Sequence, residues 1–222
     1  MISSSLPPEK ESIMPRSALA IGLSLALSAS VAHAAEQVRS APPFTSISVQ
    51  GPISVTVDAG APQSLTVRGS DKFVNGLVSE VVNGELRLRM QDKKFTTTNS
   101  DQRILIAVPV LRAFSAEGAG EIKLNKIRGE RFDMNYRGAA SLNINGTVKN
   151  FTMRAEGVGE VDARSLIANN ADVRFQGVGD VQVYAKDRLD AVVQGMGSLR
   201  YFGKPRTVNK SAAGLGSVSA GE

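Results

Sequence analysis

The chain has 222 residues, with 26 Lys and Arg against 21 Asp and Glu, one histidine, and neither cysteine nor tryptophan. That length suits one or two domains, and the missing cysteine excludes disulfides, a thiol nucleophile and lipoprotein acylation. The net charge of +5 is mild and scattered, with no Lys/Arg run to track a phosphate backbone, so nucleic acid is not an expected partner.

In chain order, the first feature is an export signal. Arg16 precedes the apolar run Ala18–Val31, and Ala32-His33-Ala34 follows as a small-x-small cleavage site. A run of fourteen residues is too short to span a bilayer. Residues 1–34 are therefore expected to be a signal peptide. Met1–Ile13 carries Pro, Glu and Lys and does not resemble an n-region, which leaves Met14 as an alternative start. Cleavage after Ala34 removes Glu9, Lys10, Glu11, Arg16 and His33, so the charge stays at +5 and the only histidine is lost. Without His or Cys, a Ser-His-Asp triad and imidazole or thiolate metal ligands are excluded from the mature chain. No cofactor is expected, and no membrane span remains.

Residues 35–43 read as a polar linker ending in Pro42-Pro43, and 44–222 as one domain. From Phe44 the pattern has period 2. Ile47-Ser-Val49, Ile53-Ser-Val55-Thr-Val57, Leu65-Thr-Val67 and Leu86-Arg-Leu88-Arg-Met90 alternate apolar with polar residues, which predicts strands with one buried face. Asn83-Gly84 between two such runs predicts a two-residue hairpin. Asp71–Leu77 reads as a short helix capped by Ser70 or Asp71, and 92–102 as a polar loop.

From Ile104 onward one sentence is repeated. The first glycine of each copy is Gly118, Gly138, Gly157, Gly177, Gly195 and Gly214, at intervals of 20, 19, 20, 18 and 19 residues. Columns keep their character around it. Four residues before stand Phe114, Met134, Met153, Val173, Ala191 and Lys210; four after stand Ile122, Leu142, Val161, Val181, Leu199 and Val218. Period 2 within a copy and about 19 between copies predict stacked coils that bury like on like, about 4.8 Å apart. The glycines would be corners, where φ > 0 and close approach are needed. The predicted architecture is an all-β, right-handed parallel β-helix over 104–222, preceded by a portion that contains the hairpin. A left-handed β-helix would need an apolar residue every six. A closed β-prism or a sandwich is the alternative.

Order and spacing together also resemble a known family. The opening F-x-x-I-x-V-x-G-x-I-x-V-x-V of Phe44–Val57, the L-R-L-R of Leu86–Arg89, the V-P-x-L of Val108–Leu111 and the serial G-x-G coils from Gly118 to Gly216 are similar to the bacterial head GIN domain family, labelled auto-transporter adhesins. The resemblance implies an exported right-handed β-helix. One departure is Ala140, where the second corner glycine is missing, so that coil is expected to turn differently.

Three features invite a functional reading. G-x-G here lies between strands, without a following helix, and is no nucleotide fingerprint. A polar column follows the corner: Glu121, Ser141, Glu160, Asp180, Ser198 and Ser217. Stacked carboxylates at Glu160 and Asp180 could hold Ca²⁺, share a proton, cleave polysaccharide, or simply splay into solvent. The residue inside each corner forms a third column: Ala119, Ala139, Val158, Val178, Met196 and Leu215. Strict alternation would set it outside as an apolar interaction stripe; a rotating corner would turn it inward as a core layer. Phe132, Phe151 and Phe175 fall on inward columns and argue against a sugar-stacking platform. The sequons at Asn145 and Asn209 read as turn residues.

The expectation from all of this is an exported, non-enzymatic binding protein of the periplasm or cell surface. Its partner would be an envelope polymer or protein, met by Val158, Val178, Met196 and Leu215, with Glu121, Glu160 and Asp180 beside them. An uncapped last coil would favour a homodimer. The alternatives are a carboxylate-based polysaccharide hydrolase or lyase, and a purely structural envelope component.

Overall fold

A computed structural model describes residues 35–91 and 102–221, all within the compact unit His33–Glu222. The predicted signal peptide and residues 92–101 of the polar loop lie outside the described residues. Ten strands and one helix follow in chain order: β1 Ala35–Arg39, β2 Ser46–Gln50, β3 Ser54–Ala59, β4 Ser64–Gly69, α1 Asp71–Gly76, β5 Leu77–Val82, β6 Glu85–Met90, β7 Arg103–Val108, β8 Ala113–Phe202, β9 Thr207–Gly214 and β10 Ser217–Ala220.

The 90 residues of β8 would run roughly 300 Å if straight. They wind on themselves instead. Gly138 lies so close to Gly118 that a Cβ there would collide with the Gly118 carbonyl oxygen; Gly157 lies the same way on Gly138, and Gly177 on Gly157. The first coil of β8 pairs in parallel with β2 and β3, matching Phe114 with Ile47 and Ile122 with Val55. Its last coil pairs in parallel with β9 and β10, matching Leu189 with Val208 and Leu199 with Val218. The glycine corners predicted from the repeat are thus a ladder of stacked backbones.

The N-terminal end departs from a purely parallel stack. β6 and β7 follow β2 and β3 in sequence, yet pair in parallel on the side of them away from β8. Antiparallel pairs then close that end: β5 on β6, β4 on β7, and β1 on β4. The fold is therefore all-β with a mixed sheet. The strand order runs open from β1 to β5 and does not close into a ring, which removes the closed prism.

Local chemistry explains the two non-repeating pieces. Asn83 and Gly84 hold φ of 52° and 76°, the left-handed pair that a two-residue hairpin requires, and join β5 to β6 in register. In α1 the Ser70 side chain accepts from the Phe73 N–H at 3.3 Å, a N-cap bond, while Phe73 and Val74 are buried.

Two expectations are corrected. The polar linker 35–43 contains strand β1, which pairs with β4 along its whole length. Arg39 at its end donates to the carbonyls of Val74 and Leu77, so polar composition here reflects an edge strand rather than a free tether. Gln102, placed in the polar loop, is buried.

The core fills the inside of the coils. Phe114, Met134, Met153, Val173 and Ala191 are buried in one column, and Ile122, Leu142, Val161, Val181 and Leu199 in another. Phe132 and Phe151, on successive coils, lie with their rings nearly parallel and offset, centroids 6.1 Å apart, an arrangement that placing one residue type at the same position of two neighbouring coils makes possible. In the last coil the columns lapse. Lys210, Ala212 and Ala220 are exposed, because no described strand lies beyond β9 and β10 to cover them.

Candidate functional site

Alternation of side chains continues through the corner without a break. In the coil around Gly157, Ala155 and Val161 point inward and are buried, while Glu156, Val158 and Glu160 are exposed. The positions of inward parity between them are Gly157 and Gly159. A Cβ on either would strike the carbonyl oxygen of Gly138 or Ala140 in the preceding coil. Only glycine fits the inner side of this corner, so the residue between two glycines must face solvent. The rotating corner, which would bury that residue, is ruled out.

The consequence is a continuous apolar stripe. Val158 is 56% exposed, Val178 40%, Met196 59% and Leu215 84%. The glycine contacts run Gly159 to Gly179, Gly179 to Gly197 and Gly195 to Gly214, which sets these four residues on successive coils at about 4.8 Å spacing. Ala119 and Ala139 extend the column with little bulk. Seven large apolar side chains are exposed among the described residues, and four of them stand in this one column; scattered exposure needs no explanation, but alignment does.

The acidic column runs beside the stripe, and its members differ. Glu121 is tied down by Lys123 Nζ at 2.6 Å and Arg103 Nη2 at 3.4 Å. The hydrogen bond from Lys123 holds its carboxyl below the usual carboxylate range. Asp180 accepts a hydrogen bond from the Ser198 hydroxyl of the next coil. Glu160 makes no hydrogen bond or ion pair with a described residue. A glycosidase acid must be held protonated near neutrality, and the shift at Glu121 runs the other way. Among the described residues no three carboxylates gather in a group that could hold a metal ion.

Elsewhere the exposed strand faces are laced with ion pairs at two-residue spacing: Arg164 with Asp162 at 2.7 Å, Arg174 with Asp172 at 3.4 Å and Arg188 with Asp190 at 2.6 Å. Period 2 puts both partners on one face. The Asn145 amide donates to Asn125 at 2.8 Å, and its oxygen accepts from the Lys126 N–H at 2.9 Å. This binds the turn at Lys126, where φ is +57°, as the turn reading of that sequon requires. Phe132, Phe151 and Phe175 are buried. Phe202 is half-buried beneath Arg164, whose guanidinium carbon lies 5.8 Å from the ring centre.

One set of side chains left no signal in the sequence. Val110 and Arg112, in the connection between β7 and β8, line a groove together with Arg128 and Arg131 of β8.

The family model described as putative auto-transporter adhesin, head GIN domain, matches residues 43–205. The chain belongs to the head GIN domain family. Its fold is shared with a putative adhesin from Bacteroides fragilis, at a TM-score of 0.68 and 22% identity over 85% of this chain and 97% of that one. It is also similar to a structure from Parabacteroides distasonis titled putative lipid binding protein, at a TM-score of 0.50 and 18% identity over 86% and 98%. At these identities the likeness is one of fold. No curated protein matches the chain. In this head GIN protein the matched span includes β2 to β7 and all of β8, so the corner ladder from Gly118 to Gly195 belongs to the family's own part of the chain, while Gly214 and Leu215 lie beyond it.

Proposed function

We propose that this head GIN protein is an exported, non-catalytic binding module of the periplasm or cell surface, built as a right-handed parallel β-helix at its repeat. Its contact surface is the stripe Val158, Val178, Met196 and Leu215. The observation that carries the reading is the alignment of four exposed apolar side chains on consecutive corners, where the glycine ladder leaves them no other direction. A soluble chain that only needed to fold would gain by making this column polar.

The flanking carboxylates add selectivity. Glu160 and Asp180 stand one position beyond the second glycine, two residues after Val158 and Val178 in sequence. Apolar contact with acidic charge on one flank suits an envelope partner, protein or polymer, that presents apolar groups beside basic ones. The parallel pairing and the 18–20-residue period support the β-helix.

The test is binding of residues 35–222 to a panel of envelope polymers and fractionated envelope proteins, with Ca²⁺ and with chelator. The expected result is a specific hit, indifferent to chelation, that Val178→Ser/Met196→Ser abolishes while the fold is retained. A hit that the double variant leaves intact would move the contact off the stripe. A hit lost on chelation would shift the weight to Glu160 and Asp180.

A further inference from the structure

A groove of about 570 Å³ lies among residues of neither the stripe nor the acidic column. Val110, 42% exposed, stands at its edge, with Arg112, Arg128, Glu130, Arg131 and Asp133 around it. The wall is pinned by backbone bonds: the Arg112 N–H donates to Thr45 at 2.8 Å, and the Asp133 N–H donates to the Arg112 carbonyl at 3.0 Å.

Both carboxylates of the lining are already engaged. Arg131 Nε meets the two oxygens of Asp133 at 2.8 Å each. Glu130 stands two residues from Arg128, the spacing at which other arginines of this chain find their acids. It turns instead to Lys149 of the next coil, at 2.9 Å. The Arg128 side chain is thereby left without a partner among the described residues, and the Arg112 side chain has none either. Two uncompensated, exposed guanidiniums face one concave surface whose other charges cancel.

We propose that this groove binds an oxyanion, phosphate or carboxylate, carried on a glycan chain. Guanidinium forks pair with such groups in bidentate fashion, and no described side chain competes for this pair. The groove is concave and offers one exposed apolar side chain, whereas docking to a bilayer needs a broad apolar face to insert. A nucleic acid would need a longer basic track than two residues. The proposal stands apart from the stripe: either can fail alone.

The experiment titrates residues 35–222 with oligogalacturonate, with phosphorylated dextran, with neutral dextran of equal length, and with phosphatidylglycerol vesicles. One anionic glycan is expected to bind and neutral dextran not to. Arg112→Gln and Arg128→Gln should each weaken that binding about tenfold, in line with loss of a charge-assisted bond, with unchanged melting curves. Arg89→Gln and Arg200→Gln, which remove the same charge elsewhere, should leave it within about twofold. Equal losses in all four variants would reduce the effect to net charge and overturn the site. Absence of binding to both anionic glycans would overturn it, as would vesicle binding stronger than either.

Discussion

Arg39 of β1 reaches the helix that follows β4: its Nη2 donates to the Val74 carbonyl at 2.6 Å, and its Nη1 to the Leu77 carbonyl at 2.7 Å and the Ser79 hydroxyl at 3.0 Å. The last turn of α1 and the start of β5 are thereby fastened to the edge strand. Helix carbonyls at a C-terminus otherwise lack partners. Arg39→Ala should cost about 2 kcal/mol, since it leaves two carbonyls with a lost charged donor. Chemical denaturation of residues 35–222 measures it, and a change below about 0.5 kcal/mol would show that β1 docks without this bond.

The corner ladder makes a sharper prediction. Gly157 holds φ of +128°, and a Cβ there would collide with the Gly138 carbonyl. Gly60 holds φ of +82° with open space around it. Gly60→Ala therefore meets only the backbone term, about 1–2 kcal/mol. Gly157→Ala meets that term and the clash, and should cost more than about 3 kcal/mol or fail to fold. Equal melting temperatures for the two variants would refute the close packing of coils. Ala140 fits the same logic. Its φ is not positive, so the coil that lacks a second glycine turns with ordinary backbone there.

Tyr136 sets an alkaline limit. Its side chain is buried on an inward column, and its hydroxyl donates to the Gly118 carbonyl at 3.2 Å. Burial pushes its pKa from 10.0 up to about 12. The folded value lies above the unfolded one, so the stabilisation is complete below pH 10.0 and is lost as pH rises toward about 12. Urea midpoints should fall across that window, and Tyr136→Phe should lessen the fall. An unchanged profile in the variant would place the alkaline loss elsewhere.

The exposed ion pairs set the acid limit. Asp190 is held below its model-peptide value of 3.8 by hydrogen bonds from Arg188 and then Asn209, and Asp162 by one from Arg164. A depressed carboxylate stabilises the fold above its unfolded value and ceases to do so as pH falls through the folded one. Denaturation midpoints should hold from pH 7 to about 5 and decline below about 4. Asp190→Asn should flatten part of that decline.

The stripe predicts a separation of stability from binding. Met196→Ser removes a side chain that is mostly in solvent and should shift stability by less than about 0.5 kcal/mol, while Val178→Ser, at 40% exposure, should cost no more than about 1 kcal/mol. Light scattering with and without the double variant would show whether a second copy of the chain is among the stripe's partners. A monomer in both cases would leave the envelope partner as its occupant.

Much of this protein was determined by its sequence alone. The 18–20-residue glycine spacing and the alternation around it specify coils, corners and inward columns, because strand parity and coil period are both local counts. The hairpin at Asn83-Gly84 and the short helix behind Ser70 are likewise set by turn and cap chemistry within a few residues. Tertiary structure alone decided the rest. β6 and β7 take the position on β2 and β3 opposite to β8, and β1 joins the sheet edge; both depend on pairings between distant residues, for which the sequence carries no period. Val158 and its column face solvent because the neighbouring coil's carbonyl occupies the inner side of the corner, a contact between chains of atoms about twenty residues apart. Arg112 and Arg128 share a groove for the same kind of reason. Glu130 prefers Lys149 of the next coil, and a partner taken across coils is invisible to any reading along the chain.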